Sequence, residues 1–142
     1  MDFVKKYSRE VTVVALILSN FFVWYAIYQK RPSDILTIYF LDIGQGDAIF
    51  LDSPTHGRML IDGGPNRKVL SEIGKILPFA DRRIDVVMET HPDKDHIGGL
   101  PEVVSRYKVG MFIEPGVESE SNVDDELLSR LEDKNIPKLL AK

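Results

Sequence analysis

Two different patterns of hydrophobic and polar positions divide the chain. Residues 11–28 (VTVVALILSNFFVWYAIY) have no ionisable group stronger than tyrosine, whereas the rest alternates short apolar runs with polar turns. A helix of this length spans about 27 Å at 1.5 Å per residue, near the lower limit for crossing a bilayer. We therefore predict a transmembrane anchor at 11–28, between an N-terminal tail (1–10) and a linker (29–34).

The residues around this segment indicate whether it is cleaved and how it is oriented in the membrane. Trp24, Tyr25 and Tyr28 lie toward one end, where aromatic rings settle at the headgroup level. A cleaved signal peptide is the alternative, but no small-residue A-x-A pattern closes the apolar run. Three basic residues precede the segment and two follow it, which favours a cytoplasmic N-terminus. The expectation is a single-pass protein of the plasma (inner) membrane whose globular domain lies outside the cytoplasm.

Residues 35–142 have the pattern of one α/β domain. Short β-rich runs predict strands, of which the second and third form a hairpin around SPTHG; the runs are 35–43, 48–52, 58–62, 84–90 and 109–113. The apolar run 84–90 is typical of a strand covered on both faces. The final IPKLLAK predicts the opening of one more strand. A hairpin followed by alternating helices and strands predicts an α/β sandwich.

Helical spacing predicts three helices, over 66–77, after Gly99 and from Asn122. Asn122 is predicted to cap the last of them. Its aspartates are predicted to form a solvated face; they are Asp124, Asp125 and Asp133.

The amino-acid composition excludes several kinds of functional site. The 142 residues carry a net charge of −4 and contain no cysteine, which excludes disulfides, thiolate zinc sites and a cysteine nucleophile. The acidity argues against a general basic surface for nucleic acid. An acidic protein can still cleave a phosphodiester when a bound metal ion supplies the positive charge.

One segment concentrates the groups that do chemistry. Two histidines and two aspartates fall within six residues after the strand 84–90; they are His91, Asp93, Asp95 and His96. Imidazole and carboxylate bind zinc and also suit manganese or iron. The spacing allows one pair to turn toward one metal and the other pair toward a neighbouring metal. A solvated polar loop is the alternative interpretation. His56, in the SPTHG turn, is predicted to be a solvated turn residue.

Three motifs together resemble a known family. HPDKDH followed by IGGL is similar to the metal-binding signature H-x-H-x-D-H of the metallo-β-lactamase fold. FLDIGQGDAIFL (40–51), MLIDGGP (59–65) and THPDKDHIGGLPEV (90–103) resemble, more narrowly, the metallo-hydrolase domain of the ComEC competence protein family. The resemblance implies an αββα sandwich, of which 35–142 contains only the N-terminal half, truncated at its C-terminal end.

The resemblance also implies residue roles. His91 and Asp93 ligate one metal, Asp95 and His96 the second, and the two metals are zinc or another divalent ion. Asp95 also orients the attacking hydroxide or accepts its proton, which makes it the candidate catalytic residue. Asp62 holds a liganding imidazole from the second shell of the site; a plain turn residue is the alternative for it.

Two functions of different classes follow. The first is a membrane-anchored, metal-dependent hydrolase, a phosphodiesterase or nuclease linked to DNA uptake, acting on DNA or another phosphodiester. The second is a non-catalytic half-domain that binds a partner at the membrane. No histidine follows residue 100, so the further ligands that the family uses are missing. Half a sandwich also leaves an apolar sheet face that invites a partner chain.

Overall fold

The computed structural model describes residues 2–29, 35–55, 57–117 and 121–141. The chain divides into two compact units, residues 1–33 and residues 34–142. His56 and the predicted linker residues 30–34 lie outside the described residues, so the predictions made for them stay predictions.

The first unit is one helix, α1 (Asp2–Gln29). It contains the predicted span 11–28 and also runs through residues 2–10. The stretch Tyr7–Ala26 is long and apolar enough to cross a membrane by length and composition, and its side chains are exposed. A signal sequence near an N-terminus meets the same criteria, so both interpretations of this segment stay open.

Among the described residues, the second unit contains a mixed six-stranded sheet and four helices. Strands follow one another across the sheet in chain order, β1 to β6. β1 and β2 pair antiparallel, as do β2 and β3, and the remaining pairs are parallel. The elements are β1 (Thr37–Phe40), β2 (Ile49–Asp52), β3 (Arg58–Ile61), α2 (Lys68–Ile76), β4 (Arg83–Met88), α3 (Lys94–Ile97), α4 (Leu100–Arg106), β5 (Lys108–Glu114), α5 (Asn122–Asp133) and β6 (Lys138–Leu140).

The core lies on one face of this sheet. Right-handed crossovers between strands that follow chain order place every connecting helix on the same side. Phe50, Leu60, Val87 and Phe112 occupy paired positions on β2 to β5 and are fully buried. They pack in one cluster with the apolar sides of α2, α4 and α5; these include Val69, Ile73, Leu100, Val103, Leu127 and Leu131.

The opposite face of the sheet is apolar and open among the described residues. Its side chains are half-buried or exposed; they are Ile38, Phe40, Ile49, Leu51, Met59, Ile61, Val86, Met88, Met111, Ile113 and Leu139. The described sheet and helices thus form two layers of the four-layered sandwich that the resemblance implies. The prediction that β4 is covered on both faces is wrong for the described residues, because its helices all lie on one side.

Three local predictions need correction. β1 is shorter than the predicted run 35–43 and spans Thr37–Phe40, although the Leu41 N–H still donates to the Ala48 carbonyl at 2.9 Å. Ser121, rather than Asn122, caps α5, and its side chain accepts a hydrogen bond from the Val123 N–H. Asp124 is buried instead of solvated, since the first turn of α5 faces other elements of the domain.

Candidate metal centre

The three sequence motifs meet at one edge of the sheet. β3 and β4 run parallel, so the residues that follow them, Asp62 and Thr90, lie at the same edge. The Asp62 N–H donates to the Met88 carbonyl at 2.8 Å, which continues the ladder beyond the strand. Asp62 has φ +57°, a left-handed conformation that aspartate tolerates better than most residues. This backbone turn brings its carboxylate to the loop that follows β4.

Glycines allow the motifs to approach one another closely. A Cβ on Gly46 would lie 1.9 Å from the carbonyl oxygen of Asp95, so only glycine fits there. The Gly63 N–H donates to the His96 carbonyl at 2.6 Å, and the Gly99 N–H donates to the Gly64 carbonyl at 2.9 Å. The GQGD turn (44–47) therefore lies directly against the loop that carries Asp95.

The carboxylate of Asp62 is the centre of a hydrogen-bond network. It is buried, and its Oδ1 accepts the Thr90 N–H at 2.9 Å. Oδ2 accepts the Thr90 hydroxyl at 2.6 Å and lies 2.9 Å from Nδ1 of His96. The contact with an imidazole is the one that the resemblance implies for Asp62. A plain turn residue would need none of these side-chain partners.

The two histidines lie side by side at this network. Their ring centroids are 3.7 Å apart with an angle of 47° between the planes. Nδ1 of His91 lies 3.0 Å from the Thr90 hydroxyl, and Nε2 of His91 lies 3.6 Å from the Asp93 carboxylate. The His96 side chain is largely buried and that of His91 is half exposed, so the pair stands at the mouth of the site.

The structure brings the predicted site residues together only in part. Asp93 caps α3 without a side-chain capping bond, and its carboxylate is exposed beside His91. Asp95 lies in the first turn of α3 and is half-buried. Across the described residues, no three His, Cys, Asp or Glu side chains are arranged to hold a metal ion. The donor chemistry of the loop fits a divalent ion, but the described side chains do not bring three such ligands to one point.

Sequence reasoning missed one acidic residue beside the site. Glu89 follows β4 and is buried, and its N–H donates to the Ile113 carbonyl at 3.0 Å. Burial, together with the charges of Asp124, Glu114 and Asp62, raises the pKa of Glu89 to about 7. The available signal was a lone carboxyl group at the end of an apolar strand, directly before the histidine cluster.

Comparison with known proteins agrees with the geometry. Residues 41–139 match the profile of the metallo-beta-lactamase superfamily, and the chain belongs to this superfamily. Members of the superfamily generally bind divalent metal ions, typically zinc. The fold-level prediction from the three motifs is thereby confirmed.

A curated relative supports the narrower branch. The chain is 33% identical over 92 residues to ComE operon protein 3 of Bacillus subtilis (strain 168). The match covers 53% of this chain and 12% of the relative, so the chain spans a small part of that protein's length. The similarity supports the ComEC-like branch that the motifs indicate.

Proposed function

We propose that this protein is a membrane-anchored, metal-dependent hydrolase of phosphodiesters, with DNA as the substrate to test first. The observation that carries the proposal is the pairing of His91 and His96 at the sheet edge, with Asp62 holding His96 from behind. Superfamily membership adds support, because the paired histidines lie in the segment that resembles the superfamily's metal-binding signature.

The residues would divide the work as follows. His91 and Asp93 would hold one divalent ion, and Asp95 and His96 a second. When bound, such ions act as Lewis acids that polarise a phosphoryl oxygen. Asp95 would accept a proton from the attacking water, since its carboxylate is close to the histidines in sequence and half open to solvent. Zinc is the first metal to test, and manganese and iron are the alternatives.

The helix α1 supports the membrane part of the proposal. Tyr7–Ala26 has the length and composition of a single span. The charge bias around it favours a domain on the outer side of the inner membrane. A phosphodiester hydrolase in that position could meet DNA outside the cytoplasm, as the ComEC-like resemblance implies.

The experiment measures hydrolysis of bis(p-nitrophenyl) phosphate and of linear DNA by the full 142-residue chain with added zinc or manganese. We expect metal-dependent turnover that the double variant His91→Ala, His96→Ala abolishes. His56→Ala is the matched control, because it removes the third histidine of the chain. Equal turnover by the double variant and the wild type would contradict the proposal.

The open sheet face supports a second candidate function. Eleven apolar side chains lie on it without a covering element among the described residues, which is typical of a docking surface. In this version the chain is a non-catalytic half-domain whose face binds a partner chain at the membrane. Stoichiometric zinc uptake by the full chain would count against it, and a folded chain that takes up no zinc or manganese would favour it.

A further inference from the structure

Both histidines are hydrogen-bonded to the carboxylate of Asp62, His96 directly and His91 through the Thr90 hydroxyl. Its oxygen lies 2.6 Å from Oδ2 of Asp62 and 3.0 Å from Nδ1 of His91. His96 reaches the same Oδ2 through its own Nδ1 at 2.9 Å. The three contacts form a branched chain of hydrogen bonds that ends on Asp62.

Counting protons fixes the direction of every bond in this chain. The carboxylate form of Asp62 can only accept, so the single hydroxyl proton of Thr90 goes to Oδ2. With that proton committed, the hydroxyl can meet Nδ1 of His91 only as an acceptor, and Nδ1 must carry a proton. The same reasoning protonates Nδ1 of His96, because its partner is the carboxylate itself. In a neutral imidazole, Nε2 is then the free lone pair.

We infer that Thr90 is a positioning residue that fixes His91 in the Nδ1–H tautomer and so presents Nε2 of His91, beside that of His96, to a divalent ion. Asp62 does this for His96 directly and for His91 through the Thr90 hydroxyl. The inference rests on the proposed function only in naming a metal ion as the group that Nε2 meets. The tautomers themselves are properties of the metal-free chain.

His96 serves as an internal control for His91, because only His91 depends on the Thr90 hydroxyl. Thr90→Val keeps the shape of the side chain and removes the hydroxyl, so it should release His91 and leave His96 on Asp62. Thr90→Ser keeps the hydroxyl and should preserve both tautomers. Removing a group that orients a metal ligand typically lowers metal affinity about 10–100-fold.

The test records ring ¹⁵N shifts of the full chain, labelled at its three histidines and held metal-free in detergent micelles. We expect Nδ1–H for His91 and His96 in the wild type and in Thr90→Ser. In Thr90→Val, His91 should move to a majority of Nε2–H while His96 is unchanged. Zinc affinity, measured by chelator competition, should fall at least about tenfold in Thr90→Val and change less than about twofold in Thr90→Ser.

Two results would overturn the inference: Nε2–H at His91 in the wild type, which needs no variant to fold, or unchanged Nδ1–H at His91 in Thr90→Val. The test separates this inference from the proposed function. The expected tautomers in a chain that takes up no zinc would support the role of Thr90 and contradict the hydrolase. If Thr90→Val takes up zinc and hydrolyses phosphodiesters normally, with unchanged tautomers, the hydrolase is supported and the role of Thr90 is contradicted.

Discussion

Asp62 and His96 are joined by a hydrogen bond of 2.9 Å between carboxylate Oδ2 and ring Nδ1. Asp62 follows β3 and His96 lies in α3, so the bond ties the sheet edge to the loop that carries the candidate ligands. Both side chains are largely buried, which protects the bond from exchange with water. The imidazole is therefore oriented before any metal arrives.

Asp62→Asn tests this orientation. Asparagine tolerates φ +57° as well as aspartate does, so the variant removes the charge while keeping the backbone turn. We expect zinc affinity of the full chain to fall about 10–100-fold, because the carboxylate no longer fixes His96. Asp52→Asn is the control, since it removes a carboxylate from β2 that pairs with Arg58 instead. Affinity within twofold of the wild type would contradict the orienting role.

Gly46→Ala and Gly44→Ala separate steric clash from backbone strain. Gly46 has φ +87° and Gly44 has φ +86°. Either substitution therefore costs about 1–2 kcal/mol, because alanine is strained in the left-handed region. A Cβ at Gly46 also meets the Asp95 carbonyl at 1.9 Å, whereas a Cβ at Gly44 meets nothing within 4 Å. We expect chemical denaturation to show a clearly larger loss of stability for Gly46→Ala. Equal losses would mean that the turn and α3 do not touch as described.

Asp124→Asn should change how stability depends on pH. Burial, followed by the charges of Asp125 and Glu114, raises the pKa of Asp124 above its usual value of 3.8, although Lys138 opposes this. The folded state therefore holds this proton to higher pH than the unfolded state, and the free energy of unfolding falls as pH rises above 3.8. In Asp124→Asn, this part of the fall in the free energy of unfolding should be absent.

Urea denaturation at pH 4 and pH 7 gives the comparison. The free energy of unfolding of Asp124→Asn minus that of the wild type should be more positive at pH 7 than at pH 4. Asp133→Asn is the control, because this carboxylate is exposed at the other end of the same helix. An identical pH slope in the wild type and Asp124→Asn would show that Asp124 is solvated after all.

Charges on the open sheet face should reduce self-association. Phe40 is 81% exposed and Met111 is also exposed, and both lie on the face without a covering element among the described residues. We expect Phe40→Lys with Met111→Lys to shift sedimentation of the chain in micelles toward the monomer, with unchanged far-ultraviolet circular dichroism. Phe79→Lys is the control, since Phe79 is 87% exposed outside the sheet. A similar shift in Phe79→Lys would mean that self-association depends on exposed apolar side chains in general and not on this face of the sheet.

The order of elements could be predicted because its signals are local. The hairpin around Pro54 and Gly57, the helical spacing after Pro65 and the polar cluster after β4 each fall within a few residues. The glycines of the three motifs are also visible in the sequence, but their close contacts with other segments are visible only in the structure.

What escaped prediction depends on tertiary packing. The burial of Asp124 and Glu89 follows from how α5 and the strand ends come together, and no local pattern encodes that proximity. The hydroxyl of Thr90 has its role only because β3 and β4 are parallel and end at the same edge. Ser121 and Asn122 are both good caps, and backbone geometry rather than residue type decides between them.

The most direct measurement is the zinc content of the full 142-residue chain after dialysis against a defined free zinc concentration. We expect at least one zinc ion per chain in the wild type and in His56→Ala, and none above background in the double variant His91→Ala, His96→Ala. Zinc content that is the same in all three proteins, or absent from a folded wild type, would contradict a metal centre at this loop.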